Sequence, residues 1–155
     1  QPCTTIAELR ELKEKLKLDI PVAGDEVLRK TADPFAVDLS GAIDILALKV
    51  QPLGGITRAR KLADHHKLPI VISSALESAV GINYGLQLAA SFADLNFDCG
   101  LGTGALLSDN VAELPIVNGE IEIKDFEPDF GALEVAPDRF EWWKNRVMKT
   151  WELIA

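Results

Sequence analysis

The sequence predicts a parallel α/β barrel, present here as its carboxyl-terminal part, on three observations. Short apolar runs alternate with longer amphipathic segments, the signature of strands alternating with helices in a parallel sheet. The runs start near residues 19, 43, 68 and 96, separations of 24, 25 and 28 residues, close to the roughly 30 residues of a strand-helix unit in such a barrel. The run from Ile43 to Val50 is apolar almost throughout, as expected of a strand covered on both faces. Four strands cannot close an eight-stranded barrel, and an open sheet leaves its edges unpaired. Either a further half completes the barrel or the chain is a small doubly wound sheet.

Each element has its own local cause. Thr5 with Glu8 three residues on forms a capping box, and Ile6, Leu9, Leu12 and Leu16 recur at helical spacing to about Lys17. Asp19 to Gly24 reads as the first strand. Asp33-Pro34, an N-cap followed by proline at the first helical position, predicts a short helix ending near Gly41. Ile43 to Val50 is the second strand, and Gly54-Gly55 turns the chain into a helix from about Ile56 to Lys67. Leu68 to Ser73 is the third strand, Ser78 to Phe92 the next helix, and Asn96 to Gly100 a last short strand. Beyond Leu101 the alternation stops. Leu114 to Val117 and Glu120 to Lys124, joined by Asn118-Gly119, predict a two-residue hairpin. Asp138 to Leu153 reads as an amphipathic helix carrying Trp142, Trp143 and Trp151, which are expected to pack against a neighbouring lobe. Residues 1–104 are therefore assigned to a partial barrel, and 105–155 to a hairpin and helix packing on the barrel or on a capping lobe.

Composition narrows the function classes. The 155 residues suffice for one domain or part of one. A net charge of -8, with 16 Lys and Arg outnumbered by 24 Asp and Glu, argues against a nucleic-acid partner, because binding phosphates needs a basic surface. Cys3 and Cys99 lie far apart without CxxC spacing and read as reduced thiols. No apolar run approaches the roughly 18 to 20 residues that span a bilayer and no signal-peptide pattern opens the chain, so no membrane partner and a cytoplasmic location are expected. Gln1-Pro2-Cys3 leads straight into a helix with no initiating Met, so a segment upstream of Gln1 is expected.

In parallel α/β folds ligands sit at the carboxyl ends of the strands. After the first strand stand Asp25 and Glu26; Asp25 is where a hard cation such as magnesium would find an oxygen ligand, or else it caps the following segment. Lys49 interrupts an apolar strand, where a buried ammonium needs a negative partner. The alternation Ile45, Ala47, Lys49 places it on one face above small residues, which favours a catalytic lysine over one snorkelling to solvent. Gly54 and Gly55 either present backbone N–H groups to a substrate carboxylate or make a plain turn. Ser73, Ser74 and Ser78 are candidate donors to substrate, with helix capping as the alternative; Glu77 stands beside them. The run Gly100-Leu101-Gly102-Thr103-Gly104 suggests close backbone approach to a ligand and lacks the Lys-Ser/Thr of a P-loop. His65 and His66, adjacent on one helix, cannot share a metal and read as surface residues.

Asp25-Glu26, Lys49 in Leu-Lys-Val-Gln-Pro-Leu-Gly-Gly, Ser73-Ser74-Ala75-Leu76-Glu77-Ser78 and Gly100-Leu101-Gly102-Thr103, in that order on successive strands, resemble the enolase superfamily. More narrowly, they resemble its o-succinylbenzoate synthase family of menaquinone biosynthesis. The resemblance implies a TIM-like (β/α) barrel and a magnesium-dependent lyase. Its reaction would be dehydration of 2-succinyl-6-hydroxy-2,4-cyclohexadiene-1-carboxylate to 2-succinylbenzoate. It also implies Asp25 as one of three carboxylate ligands to Mg2+, and Lys49 as the lysine facing a small-molecule carboxylate substrate. Substrate contacts are then expected at Gly54, Gly55, Ser73, Ser74, Ser78, Leu101, Gly102 and Thr103. The family's Lys-x-Lys acid-base motif and its other two carboxylates are not in these residues, so an upstream amino-terminal segment is the expected partner that completes the site. Val27 departs from the serine common after the Asp-Glu pair. An N-acylamino acid racemase or epimerase of the same superfamily is the alternative, and a non-catalytic half-barrel that binds a partner is the second class.

Overall fold

The first helix is set by its cap. In the computed structural model, which describes residues 1–17, 19–131 and 133–154, the Thr5 hydroxyl accepts the Glu8 N–H at 3.2 Å and the Glu8 carboxylate accepts the Thr5 N–H at 2.9 Å. Helix α1 runs from there over Ile6–Lys15 and seats a fully buried Leu9 in the core.

Three parallel strands follow: β1 (Ala23–Gly24), β2 (Ile45–Leu48) and β3 (Ile70–Ile72), in that spatial order. Gly24 pairs with Leu46, and Leu48 with Ile72. The parallel order is the expected one, but the strands are shorter. Pro21 has no N–H to give the ladder, and the Val22 N–H goes instead to the Asp44 carboxylate at 2.9 Å. The expected fourth strand, 96–100, is reduced to a single parallel bridge between Ser73 and Gly100. Asn96 and Asp98 are poor strand formers, and only Gly100 comes close, where a Cβ would lie 3.2 Å from the Ser73 hydroxyl.

The short helix expected over Asp33–Gly41 is absent. Asp33 accepts the Phe35 N–H and Asp38 accepts the Ser40 N–H, both at 3.0 Å, so these carboxylates draw the backbone into turns instead of a helix. The helical turn after β1 is α2, Glu26–Arg29. Strand β2 also stops at Leu48, short of the expected Val50, and Lys49 becomes the N-cap of α3 (Val50–Leu53). Pro52 is tolerated there because the first helical turn needs no N–H from it.

Helices α4 (Ile56–His66) and α5 (Ala79–Ala90) complete the barrel-like part. One face of the sheet is sealed: Leu46, Leu48 and Ile72 are fully buried with Leu28, Leu62, Ile82 and Leu88 in one core. The other face, carrying Ala23, Ala47 and Val71, stays partly open. A doubly wound sheet covers both faces; an opened barrel covers one.

Past a 3-10 helix over Gly102–Leu106, the hairpin forms as β4 (Ile116–Val117) and β5 (Glu120–Ile121), with Asn118 and Gly119 at φ 53° and 85° as its tight turn requires. Leu114 and Ile121 pack against the core. Helix α6 (Pro137–Glu152) buries no residue, and Trp142, Trp143 and Trp151 are 46%, 49% and 63% exposed.

Leu46 lies at the centre of the core, so Leu46→Ala is expected to cost about 2–5 kcal/mol in urea unfolding. Asp44 joins α1 to the sheet by accepting from Lys13 and from the Val22 N–H. The Lys13 hydrogen bond, then the Val22 N–H, hold its carboxyl below the ordinary carboxylate range. A carboxyl lowered on folding stabilises above its unfolded value of about 4, and that contribution is lost as pH falls through the lower folded value. Stability is therefore expected to decline below about pH 5, and Asp44→Asn to flatten the decline in urea midpoints measured from neutral to acidic pH.

Candidate active site at the strand ends

Alternation along the strands decides what faces the open side. Residues two beyond Ala23, Ala47 and Val71 are Asp25, Lys49 and Ser73, so all three stand on the partly open face at the carboxyl ends. The Lys49 ammonium donates to Asp25 Oδ2 at 2.7 Å, and each side chain is only 16% exposed. The lysine therefore ends on a carboxylate and does not reach out to bulk water.

Asp25 is held from its other side as well. Arg29 Nε donates to Oδ1 at 2.9 Å, and Arg29 Nη2 donates to Glu26 Oε1 at 2.6 Å. Burial works against the Arg29 charge, yet the attraction and hydrogen bonds of Asp25 and Glu26 outweigh it and raise its pKa above the ordinary value. Although Asp25 occupies the N-cap of α2, its carboxylate makes no capping bond. Instead of capping, the carboxylate is paired with Lys49 and Arg29.

The remaining predicted residues divide. Ser74 is buried; its hydroxyl donates to the Gly100 carbonyl at 3.0 Å and lies 2.6 Å from the Thr103 hydroxyl, tying the third strand end to the glycine-rich loop. The Leu101 side chain belongs to the core, where a Cβ on Gly85 would lie 2.6 Å from it. Ser78 is the N-cap of α5 with no side-chain capping bond. Gly54 and Gly55 both have positive φ, 87° and 108°, and their N–H groups bond to the Gln51 and Val50 carbonyls at 3.1 and 2.9 Å. That is the geometry of a turn. Glu77 accepts the Ala75 N–H at 2.8 Å through Oε2, while its Oε1 is buried without a partner among the described residues. His65 is exposed as expected, whereas His66 is partly buried and its Nε2–H donates to the Pro34 carbonyl at 2.9 Å.

A magnesium site can be tested against these side chains. Among the described residues, no three of His, Cys, Asp or Glu cluster closely enough to hold a metal ion. Asp25 offers a hard oxygen donor on the open face with Glu26 beside it, which fits one ligand position and not a complete set.

Three residues were missed in the sequence. Arg29 had a local signal, standing four residues after Asp25 and three after Glu26. Gln1 and Asn110 had none. Gln1 Oε1 accepts the N–H groups of Asp25 and Val27 at 3.1 and 3.0 Å, and Asn110 Oδ1 accepts that of Ala79 at 2.8 Å.

The chain has relatives in both sequence and fold. Residues 1–132 match the family described as enolase C-terminal domain-like. The o-succinylbenzoate synthase of Mycobacterium ulcerans (strain Agy99) is 45% identical over 158 residues, covering 99% of this chain and 48% of that protein. That of Mycobacterium tuberculosis (strain ATCC 25618 / H37Rv) is 45% identical over 159 residues, covering 100% and 48%. The chain thus spans about half the length of the curated relatives it matches. Among solved structures, a muconate lactonizing enzyme from Mycobacterium smegmatis complexed with muconolactone superposes with a TM-score of 0.64 at 22% identity, covering 88% of this chain and 37% of that one. That likeness is one of fold. With a family model matched over most of its length, the chain belongs to the enolase C-terminal domain-like family of the enolase superfamily.

Proposed function

We propose that this chain is the carboxyl-terminal half of an o-succinylbenzoate synthase, converting 2-succinyl-6-hydroxy-2,4-cyclohexadiene-1-carboxylate to 2-succinylbenzoate when an amino-terminal segment supplies the rest of the barrel. The observation that carries the reading is the Lys49–Asp25 pair, 2.7 Å apart on adjacent strand ends. Identity of 45% to curated o-succinylbenzoate synthases along the whole chain supports it.

Lys49 holds a positive charge on the pocket wall, fixed by Asp25. It stabilises the anion that develops when the proton alpha to the substrate carboxylate is removed. Asp25 would serve as one oxygen ligand to magnesium, with Arg29 keeping its carboxylate from rotating and the other ligands coming from the amino-terminal segment. When bound, the ion supplies positive charge against the substrate carboxylate. Ser73 and Ser78 are assigned as donors to substrate. The turn at Gly54 and Gly55 and the backbone of Leu101, Gly102 and Thr103 form the rim that the substrate approaches; Ser74 holds that rim in place.

The test joins the chain to a segment covering the amino-terminal half of a curated relative and follows the product spectroscopically. Dehydration that needs magnesium is expected. Racemisation of N-acylamino acids without dehydration, or no turnover by a folded, joined protein, would overturn the reading. In that protein Lys49→Ala is expected to lower kcat by roughly 10²- to 10³-fold with an unchanged circular dichroism spectrum. Asp25→Asn is expected to raise the magnesium concentration for half-maximal rate by at least the roughly 10- to 100-fold that losing a supporting group costs.

A further inference from the structure

An aspartate at an N-cap ordinarily turns its carboxylate back onto the N–H groups of the first helical turn. Asp25 does not, although it is the N-cap of α2. The Val27 N–H is already taken, and that of Leu28 goes to the Asp25 carbonyl at 3.0 Å. Gln1 Oε1, brought in from 24 residues away, accepts the N–H of Asp25 at 3.1 Å and that of Val27 at 3.0 Å. The Gln1 amide is itself fixed, its Nε2 donating to the Cys3 carbonyl at 2.7 Å. Both Asp25 oxygens are thereby left for Lys49 and Arg29.

The same substitution of partners recurs at a second strand end. Ser78 is the N-cap of α5 and makes no capping bond with its side chain. Asn110 Oδ1 accepts the N–H of Ala79 at 2.8 Å and that of Val111 at 2.9 Å. At both places a side-chain amide from a distant part of the chain bonds an N–H at the start of the helix, and the side chain at the N-cap makes no capping bond.

We infer that Gln1 is a positioning residue: its amide oxygen caps α2 in place of Asp25 and so directs the Asp25 carboxylate to Lys49. Without that oxygen, the N–H of Val27, at the second helical position, competes with Lys49 for the carboxylate. An orphaned donor in a partly buried turn and the short reach of an N-cap side chain both favour the inward rotation. The importance of Gln1 to catalysis rests on the reading of Asp25 and Lys49 given above; its control of the pair's geometry does not.

The test compares Gln1→Ala, which removes the acceptor, with Gln1→Glu, which keeps an oxygen at the same reach, on the whole chain. Two readouts follow the pair directly: the Lys49 ammonium resonance in a lysine-selective proton–nitrogen spectrum, assigned by its absence in Lys49→Arg, and the rate of Lys49 acetylation by acetic anhydride, measured by peptide mass spectrometry. In Gln1→Ala the ammonium signal is expected to broaden away and acetylation to rise about tenfold, the factor for losing a hydrogen bond between charged groups. In Gln1→Glu both are expected to stay at the wild-type level. An unchanged signal and rate in Gln1→Ala, or equal losses in both variants, overturns the inference. Neither readout involves turnover or magnesium, so a negative result here and a failure of the proposed reaction are separate events.

Discussion

The ion pair between Asp25 and Lys49 makes the rest of the structure interdependent, because it exists only if two parallel strands end at the same height with the same face turned inward. The side-chain period of a strand is two, so a slip of one residue between β1 and β2 would send one partner to the helix-covered side. The register pairing Gly24 with Leu46 prevents this, and the buried contacts of Leu46 and Leu48 hold that register. A mostly buried charge left alone costs several kcal/mol, so the pair in turn disfavours any packing that separates the strands. Core, register and site therefore specify one another.

Much of this was legible because it depends on periodicity. Two-residue alternation placed Lys49 above Ala47, and spacing of the apolar runs placed the strand ends where Asp25, Ser73 and Gly100 stand. The capping box at Thr5 and Glu8 and the Asn118-Gly119 turn are short-range patterns, and both form as written. Element lengths were less legible because side chains intercept backbone donors that the pattern assigns to ladders and helices. Asp44 takes the Val22 N–H, and Asp33 and Asp38 draw the chain into turns. Likewise the capping roles of Gln1 and Asn110 span 24 to 31 residues, so no local window contains both partners.

The open face has a further consequence for substrate contacts. Ser74 and Leu101 were expected at the ligand surface, yet one hydroxyl is engaged by Gly100 and Thr103 and one side chain is sunk against Gly85. Ser74 follows directly on Ser73, which strand alternation puts on the partly open face. The pleat sends neighbours at a strand end to opposite faces, so adjacency in sequence does not by itself decide which of them stands on the open side.

Charge at the strand ends limits what can complete the site. Asp25 and Glu26 carry two negative charges, and Lys49 and Arg29 carry two positive ones, all joined by hydrogen bonds of 2.6 to 2.9 Å. The cluster is already balanced. A divalent cation placed beside it adds two positive charges, and Asp25 alone cannot offset them without giving up Lys49. On the proposed reading, the segment that closes the barrel must therefore bring carboxylates of its own. Lys49 then stays paired with Asp25 while the incoming acids supply the other ligands to the ion. The same balance explains why Arg29 matters: by occupying the far oxygen of Asp25, it leaves the near one as the single position that Lys49 and a metal ion would share.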